Sequence, residues 1–201
     1  MTEPLYTIPD AIKSMTPDAK IIVIMRDPVK RLLSRFLTWT QGRVKNDPIY
    51  KHATASGFHE KSAEAVKLYQ DCFKKHSVRT CVYDGFLYGK AKHRLQESIY
   101  SVFVKDWLSV FPRENILFIK FEDYVTNMPQ VLGEVYDFLD LDKLSKEEIL
   151  AISKKPAKHR GKHYDKIPEM LNETKILLQQ FYSPFNADLK KLIGEKFDWN
   201  Y

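Results

Sequence analysis

Six consecutive residues, Lys20 to Met25 (KIIVIM), constrain the fold more than any other stretch. A β-branched run without polar alternation describes a parallel strand buried on both faces, and such strands belong to α/β architectures whose helices cover the sheet. Ile116 to Phe121 (ILFIKF) is a second candidate of the same kind. Helical patterns fill the remainder: Pro28 to Trp39, Phe58 to Phe73, Leu95 to Val110, Pro129 to Leu139, Lys146 to Ile152, and Thr174 to Gly194 with a break at Ser183-Pro184. Asp27-Pro28 and Ser183-Pro184 each set a capping side chain before a proline at the first helical position, and Ser145 with Glu148 spells a capping box. The fold class is α/β, a helix-rich parallel sheet flanked by helices. Two strands are few for such a sheet. Either a weaker strand hides in a segment such as Thr80 to Tyr83, or the chain is part of a larger domain.

The chain has 201 residues, 44% of them apolar and 13% aromatic. That excludes a disordered tail and a disulfide-dense mini-protein. No repeat, low-complexity tract or Gly/Ser linker marks a boundary, so residues 1–201 read as a single domain. The longest aliphatic run, Ile21 to Met25, is far short of the about 20 residues a membrane span needs. The opening MTEPLYTIPD has acids and prolines where a signal peptide has a basic segment and an apolar stretch. Neither a transmembrane helix nor a targeting segment is expected in this chain.

Lys and Arg number 32 against 26 Asp and Glu, a net charge of +6, which suits anionic partners: nucleic acid, acidic membrane or sulfated glycan. Lys154, Lys155, Lys158, Arg160, Lys162 and Lys166 crowd one segment that only Asp165 opposes. No zinc-finger spacing, RNA-binding signature or basic zipper accompanies them, so no nucleic-acid partner is expected. Cys72 and Cys81 are the only cysteines. They form no CxxC and cannot make a four-ligand zinc site without distant histidines, and no metal is expected. On spacing alone two readings stay open, a small disulfide-closed loop in an oxidising compartment or a pair of reduced thiols.

Ile21 to Phe36 (IIVIMRDPVKRLLSRF) carries the most chemistry. The strand runs into Arg26, Asp27 caps a helix, and Ser34 follows two turns later. In an open α/β sheet, the end of a strand and the start of the next helix form an anion site, where free amide protons and the helix dipole converge. Arginine adds a planar fork that matches a phosphate. The competing reading pairs Arg26 with Asp27 or a nearby acid and leaves Ser34 facing solvent.

The run R-D-P-V-x-R-x-x-S-x-F, Arg26 to Phe36, resembles the 3′-phosphate-binding signature of sulfotransferases that use 3′-phosphoadenosine 5′-phosphosulfate (PAPS). The resemblance extends through PDAKIIVIMRDP, Tyr100 with Trp107, FPRENILFIKFEDY, a helix ending in FLDL, and FYSPFNADLKKLIG with Phe197 and Trp199. Within that family the Golgi carbohydrate sulfotransferases are most similar. The FHEK run at Phe58 to Lys61 and the C-x8-C-V-Y run from Cys72 to Tyr83 resemble the branch that sulfates the 6-O of N-acetylgalactosamine 4-sulfate in chondroitin or dermatan sulfate. The resemblance implies a partial P-loop-NTPase-like sulfotransferase fold, PAPS as donor, a sulfated glycosaminoglycan acceptor and a place in the Golgi. It implies that Arg26 and Ser34 hold the donor's 3′-phosphate, and that Arg160, Gly161 and Lys162 form a basic loop over the nucleotide, in an order that departs from the commoner Lys-Gly-Arg. It also implies a Cys72–Cys81 disulfide.

One departure is an absence. The family's K-x-G-[ST] loop for the 5′-phosphosulfate precedes the arginine motif, and none of the seven glycines here is followed by Ser or Thr. Gly85 to Ala91 (GFLYGKA) is one spacer short of a Walker loop and lacks its terminal hydroxyl. The chain thus resembles the C-terminal portion of a sulfotransferase domain, and as such should expose a strand edge and an apolar sheet face, be poorly soluble or molten alone, and transfer no sulfate. The catalytic base is unassigned: His59, Glu60, His93 and Glu97 are nominal candidates for which ordinary surface roles are expected. The alternative function is a non-catalytic relative that binds a 3′-phosphonucleotide or sulfated glycans. Asn172-Glu173-Thr174, the only sequon, makes Asn172 an expected glycan acceptor in a luminal chain.

Overall fold

A computed structural model describes residues 2–42, 54–154 and 169–199. Among these the helices are α1 (Ile8–Met15), α2 (Pro28–Gly42), α3 (Ala55–Phe73), α4 (Val78–Tyr83), α5 (Gly85–Ala91), α6 (Tyr100–Val110), α7 (Phe121–Thr126), α8 (Met128–Phe138), α9 (Lys146–Ser153) and α10 (Asn172–Ile193). The strands are β1 (Ile21–Met25) and β2 (Ile116–Lys120). The described residues fall into two compact units, one of 2–7, 28–42, 54–105 and 169–199, the other of 8–27 and 106–154.

The first unit is helical. α3 buries Phe58, Ser62, Ala65, Val66, Tyr69 and Cys72, the three-and-four spacing of one helix face. α10 answers with Leu178, Phe181, Tyr182 and Leu189. Leu32, Phe36 and Leu37 of α2 join the same core with Leu95 and Ile99. The buried Tyr182 hydroxyl donates to the Leu95 carbonyl at 2.9 Å, so the polar end of this side chain is satisfied. Cys72 and Cys81 are disulfide-bonded, tying the end of α3 to α4, as the resemblance implied.

The second unit holds the sheet. β1 and β2 are parallel, in register from Ile21 opposite Ile116 to Met25 opposite Lys120. Ile116, Phe118 and Ile119 are buried, as is Val131 of α8. Beyond the strands, Lys20 Nζ donates to the Phe138 carbonyl at 2.7 Å and bonds the Asp140 carboxylate. The capping box of Ser145 and Glu148 starts α9 as expected.

Four expectations are corrected. Thr80 to Tyr83 is helical, not a strand: the Ser77 side chain accepts the Thr80 amide at 3.1 Å, and burial of Thr80, Cys81 and Val82 overrides the β preference of its branched residues. Leu95 to Val110 divides into a 3-10 turn over Gln96–Ser98 and then α6, with Ile99 buried at the joint. No break occurs at Ser183-Pro184, because α10 runs through Pro184 with buried residues on both sides of it. Packing there outweighs the hydrogen bond that proline removes. Finally, β1 is not buried on both faces: Ile22 and Ile24 are 37% and 54% exposed, and among the described residues β1 pairs along one edge only.

Candidate anion-binding site

Arg26 directly follows the last residue of β1, and Pro28 begins α2. The parallel register ends with Met25 opposite Lys120, and just beyond it Arg26 and Asp27 meet the first residues of α7. Accordingly, the half-buried Arg26 places its guanidinium carbon 5.1 Å from the Phe121 ring centroid, a cation–π contact. The Asp27 amide donates to Glu122 Oε1 at 3.1 Å, and Asp27 itself is buried. The turn that carries the arginine is thus fixed from the start of α7.

Ser34 lies on the second turn of α2, half-buried, and its carbonyl accepts the Thr38 hydroxyl at 2.8 Å. Between the two motif residues, Arg31 has a structural task. Its guanidinium donates to Glu97 Oε2 at 2.9 Å and to the Arg94 carbonyl at 2.5 Å, and its Nε bonds the Ser98 hydroxyl. Glu97 also accepts from Arg94 at 3.1 Å. This fork fixes the face of α2 next to Ser34, so the second arginine of the motif positions the helix that the serine stands on.

The nominal bases occupy separate settings. Glu97 is held in the ion pairs just given. His93, expected on the surface, is buried instead: its ring sits edge-on to Phe36 and Phe58, with Nε2 3.2 Å from the Ser62 hydroxyl. Desolvation, reinforced by the Arg31 and Lys61 charges, pushes its pKa down to about 3, so the imidazole is neutral and buttresses the core. His59 shares a 2.9 Å hydrogen bond with the Thr174 hydroxyl and lies 3.9 Å from the Glu173 carboxylate. Glu60 is exposed, 3.8 Å from Lys61 Nζ. Asn172, the sequon residue, is exposed at the first position of α10, whereas Thr174 is fully buried. Arg160, Gly161 and Lys162 lie outside the described residues.

Sequence reasoning missed Phe121, Glu122 and Arg31. The first two become visible only when the β1–β2 register is known. Arg31 had a signal, a position inside the motif and one turn from Pro28, but its partners are more than 60 residues away.

The sulfotransferase domain family matches residues 3–165. Carbohydrate sulfotransferase 15 of Mus musculus is 35% identical over 199 residues, covering 98% of this chain and 34% of the mouse protein. The Homo sapiens protein of the same name gives the same identity and coverage. The chain therefore spans about a third of the length of these relatives. Among solved structures, a sulfotransferase from Alicyclobacillus acidocaldarius superposes with a TM-score of 0.56 at 22% identity, covering 92% of this chain and 58% of that one, a likeness of fold.

Proposed function

Because the chain belongs to the sulfotransferase domain family, we propose that it forms the nucleotide-leaving half of a PAPS-dependent carbohydrate sulfotransferase. The observation that carries this reading is the course of the arginine motif: Arg26 at the exit of β1 and Ser34 two turns into α2, with Arg31 committed to holding that helix. In this reading Arg26 offers the 3′-phosphate a guanidinium fork and Ser34 a hydroxyl. The loop of Arg160, Gly161 and Lys162 adds cations and a backbone that can approach the nucleotide.

In sulfuryl transfer the acceptor hydroxyl oxygen attacks sulfur, the bond from sulfur to the phosphate oxygen breaks, and adenosine 3′,5′-bisphosphate departs with the electron pair. The acceptor proton goes to a base. Holding the 3′-phosphate fixes the leaving group in line with the attack, and nearby cations offset the charge it gains. Likeness to carbohydrate sulfotransferase 15 supports a glycosaminoglycan acceptor, with the 6-O of N-acetylgalactosamine 4-sulfate in chondroitin or dermatan sulfate as the specific position, and a Golgi setting. The second reading is a non-catalytic binder of 3′-phosphonucleotide or sulfated glycan.

The experiment is a titration with adenosine 3′,5′-bisphosphate, followed by radiolabelled sulfate transfer to a panel of chondroitins. Loss of a charge-assisted hydrogen bond is worth roughly 1.5 to 3 kcal/mol, so Arg26→Ala should bind about 10- to 150-fold more weakly, with Ser34→Ala milder. Equal affinity of folded wild type and Arg26→Ala would refute the assignment. Nucleotide binding without transfer would select the second reading.

A further inference from the structure

Glu122 brings a carboxylate to a place where an anion is expected to bind. Its Oε1 accepts the Asp27 amide at 3.1 Å, across 95 residues of sequence. Pro28 has no amide hydrogen, so the Asp27 N–H is the last main-chain donor before α2, one residue from Arg26. A negative charge beside the arginine opposes any phosphate that the arginine receives. An acid in the first turn of α7 suits the helix dipole, yet Asp123 supplies one there as well. Dipole preference therefore does not account for a carboxylate turned onto the exit of β1. A residue that works against its surroundings in this way is expected where function sets it.

What the carboxylate does for Arg26 follows from the contacts on either side. Before the arginine, the parallel ladder holds the chain as far as Met25, opposite Lys120. After it, the hydrogen bond from Asp27 to Glu122 holds the next residue, which is buried. The main chain of Arg26 is thus tied down in both directions. Its guanidinium carbon lies 5.1 Å from the centroid of the Phe121 ring, and Phe121 immediately precedes Glu122. All of these residues belong to the sheet-bearing unit. A side chain whose backbone is already fixed loses less freedom when it grips a ligand.

We propose that Glu122 is a positioning residue for the 3′-phosphate, a step that rests on the nucleotide reading above. It acts through the Asp27 amide and not on the ligand: it fixes the direction in which Arg26 leaves the strand, while its charge works against the anion that Arg26 receives. Hydrogen-bond acceptance and charge then have opposite effects on nucleotide affinity. Substitution separates them.

The test titrates the protein and its Glu122→Gln and Glu122→Asp variants with adenosine 3′,5′-bisphosphate and with adenosine 5′-monophosphate, which lacks the 3′-phosphate. Glu122→Gln keeps an acceptor oxygen at the same reach and removes the charge, so it should bind the bisphosphate as tightly as wild type or up to about fivefold more tightly. Glu122→Asp keeps the charge and withdraws it by one methylene. It should bind the bisphosphate about threefold to tenfold more weakly, as for loss of one hydrogen bond. Monophosphate affinity should be the same for all three proteins, which general damage to the fold would not allow. In an Arg26→Ala background, Glu122→Asp should have no further effect on either nucleotide. Glu122→Asp as tight as wild type overturns the positioning role, and so does a loss that falls equally on both nucleotides. Glu122→Gln is nearly isosteric and decides alone if Glu122→Asp does not fold: weaker bisphosphate binding than wild type overturns the role. A wild type that binds the two nucleotides with equal affinity overturns the 3′-phosphate reading itself.

Discussion

Acidification should loosen the helical unit through one side chain, His93. Its imidazole is enclosed by Phe36, Phe58 and Ser62, and burial together with the Arg31 and Lys61 charges holds its pKa at about 3. In the unfolded chain the same group titrates near 6.5. Protons therefore bind the unfolded chain first. The stability tied to neutral His93 is complete above about pH 6.5 and drains away as the pH falls toward 3. At about 1.4 kcal/mol per pH unit, the loss is about 2 kcal/mol at pH 5 and approaches 5 kcal/mol near pH 3. Against a whole-domain stability of about 5 to 15 kcal/mol, that is a large share. Between pH 7 and pH 5 the melting temperature should fall by about 4 to 8 °C from this group alone. Thermal unfolding followed by circular dichroism, for wild type and His93→Gln at each pH unit from 8 to 4, isolates it: the variant starts less stable but loses less on acidification. Parallel pH profiles for the two proteins would refute the burial argument.

Three other outcomes are expected. Replacing Cys72 and Cys81 by alanine removes a closed loop of about ten residues, which should cost about 2.5 kcal/mol and lower the melting temperature by several degrees; an unchanged melt under reducing conditions would count against it. Expressed behind a secretory signal, the chain should show a glycosidase-sensitive mass shift that Asn172→Gln abolishes, since Asn172 is exposed at the start of α10; no shift would remove the site. The exposed Ile22 and Ile24 each forgo part of the roughly 1.5 to 3 kcal/mol of a buried aliphatic, so the 201-residue chain alone should melt in two steps, the sheet-bearing unit first, and Ile24→Thr should raise its soluble yield; a single sharp transition with measurable sulfate transfer would contradict this.

What the sequence disclosed depended on how local the determining forces are. β1, β2 and the Ser145 capping box follow from residues adjacent in the chain, and they stand where the pattern put them. α4 did not, because Val78, Thr80 and Val82 favour a strand until burial and the bond to Cys72 decide otherwise. Pro184 likewise reads as a terminator, and only the buried Phe181, Tyr182 and Leu189 explain why α10 continues. At the candidate site, Arg26 and Ser34 were legible as a motif. Phe121 and Glu122 were not, since the pairing of two strands distant in the chain, a long-range property, brings the start of α7 beside the motif.

That register also sets an order of events during synthesis. β1 and its partner are 95 residues apart in the chain, and most of the helical unit is encoded between them. At translation rates of about 5 to 20 residues per second, β1 leaves the ribosome roughly 5 to 20 s before β2 exists to receive it. Through that interval its aliphatic side chains have only transient cover, while α2 to α5 can already pack among themselves. The nascent chain therefore carries a sticky strand tethered to a maturing helical body, and binding of a holdase chaperone to Ile21–Met25 would peak in that window and end when β2 emerges.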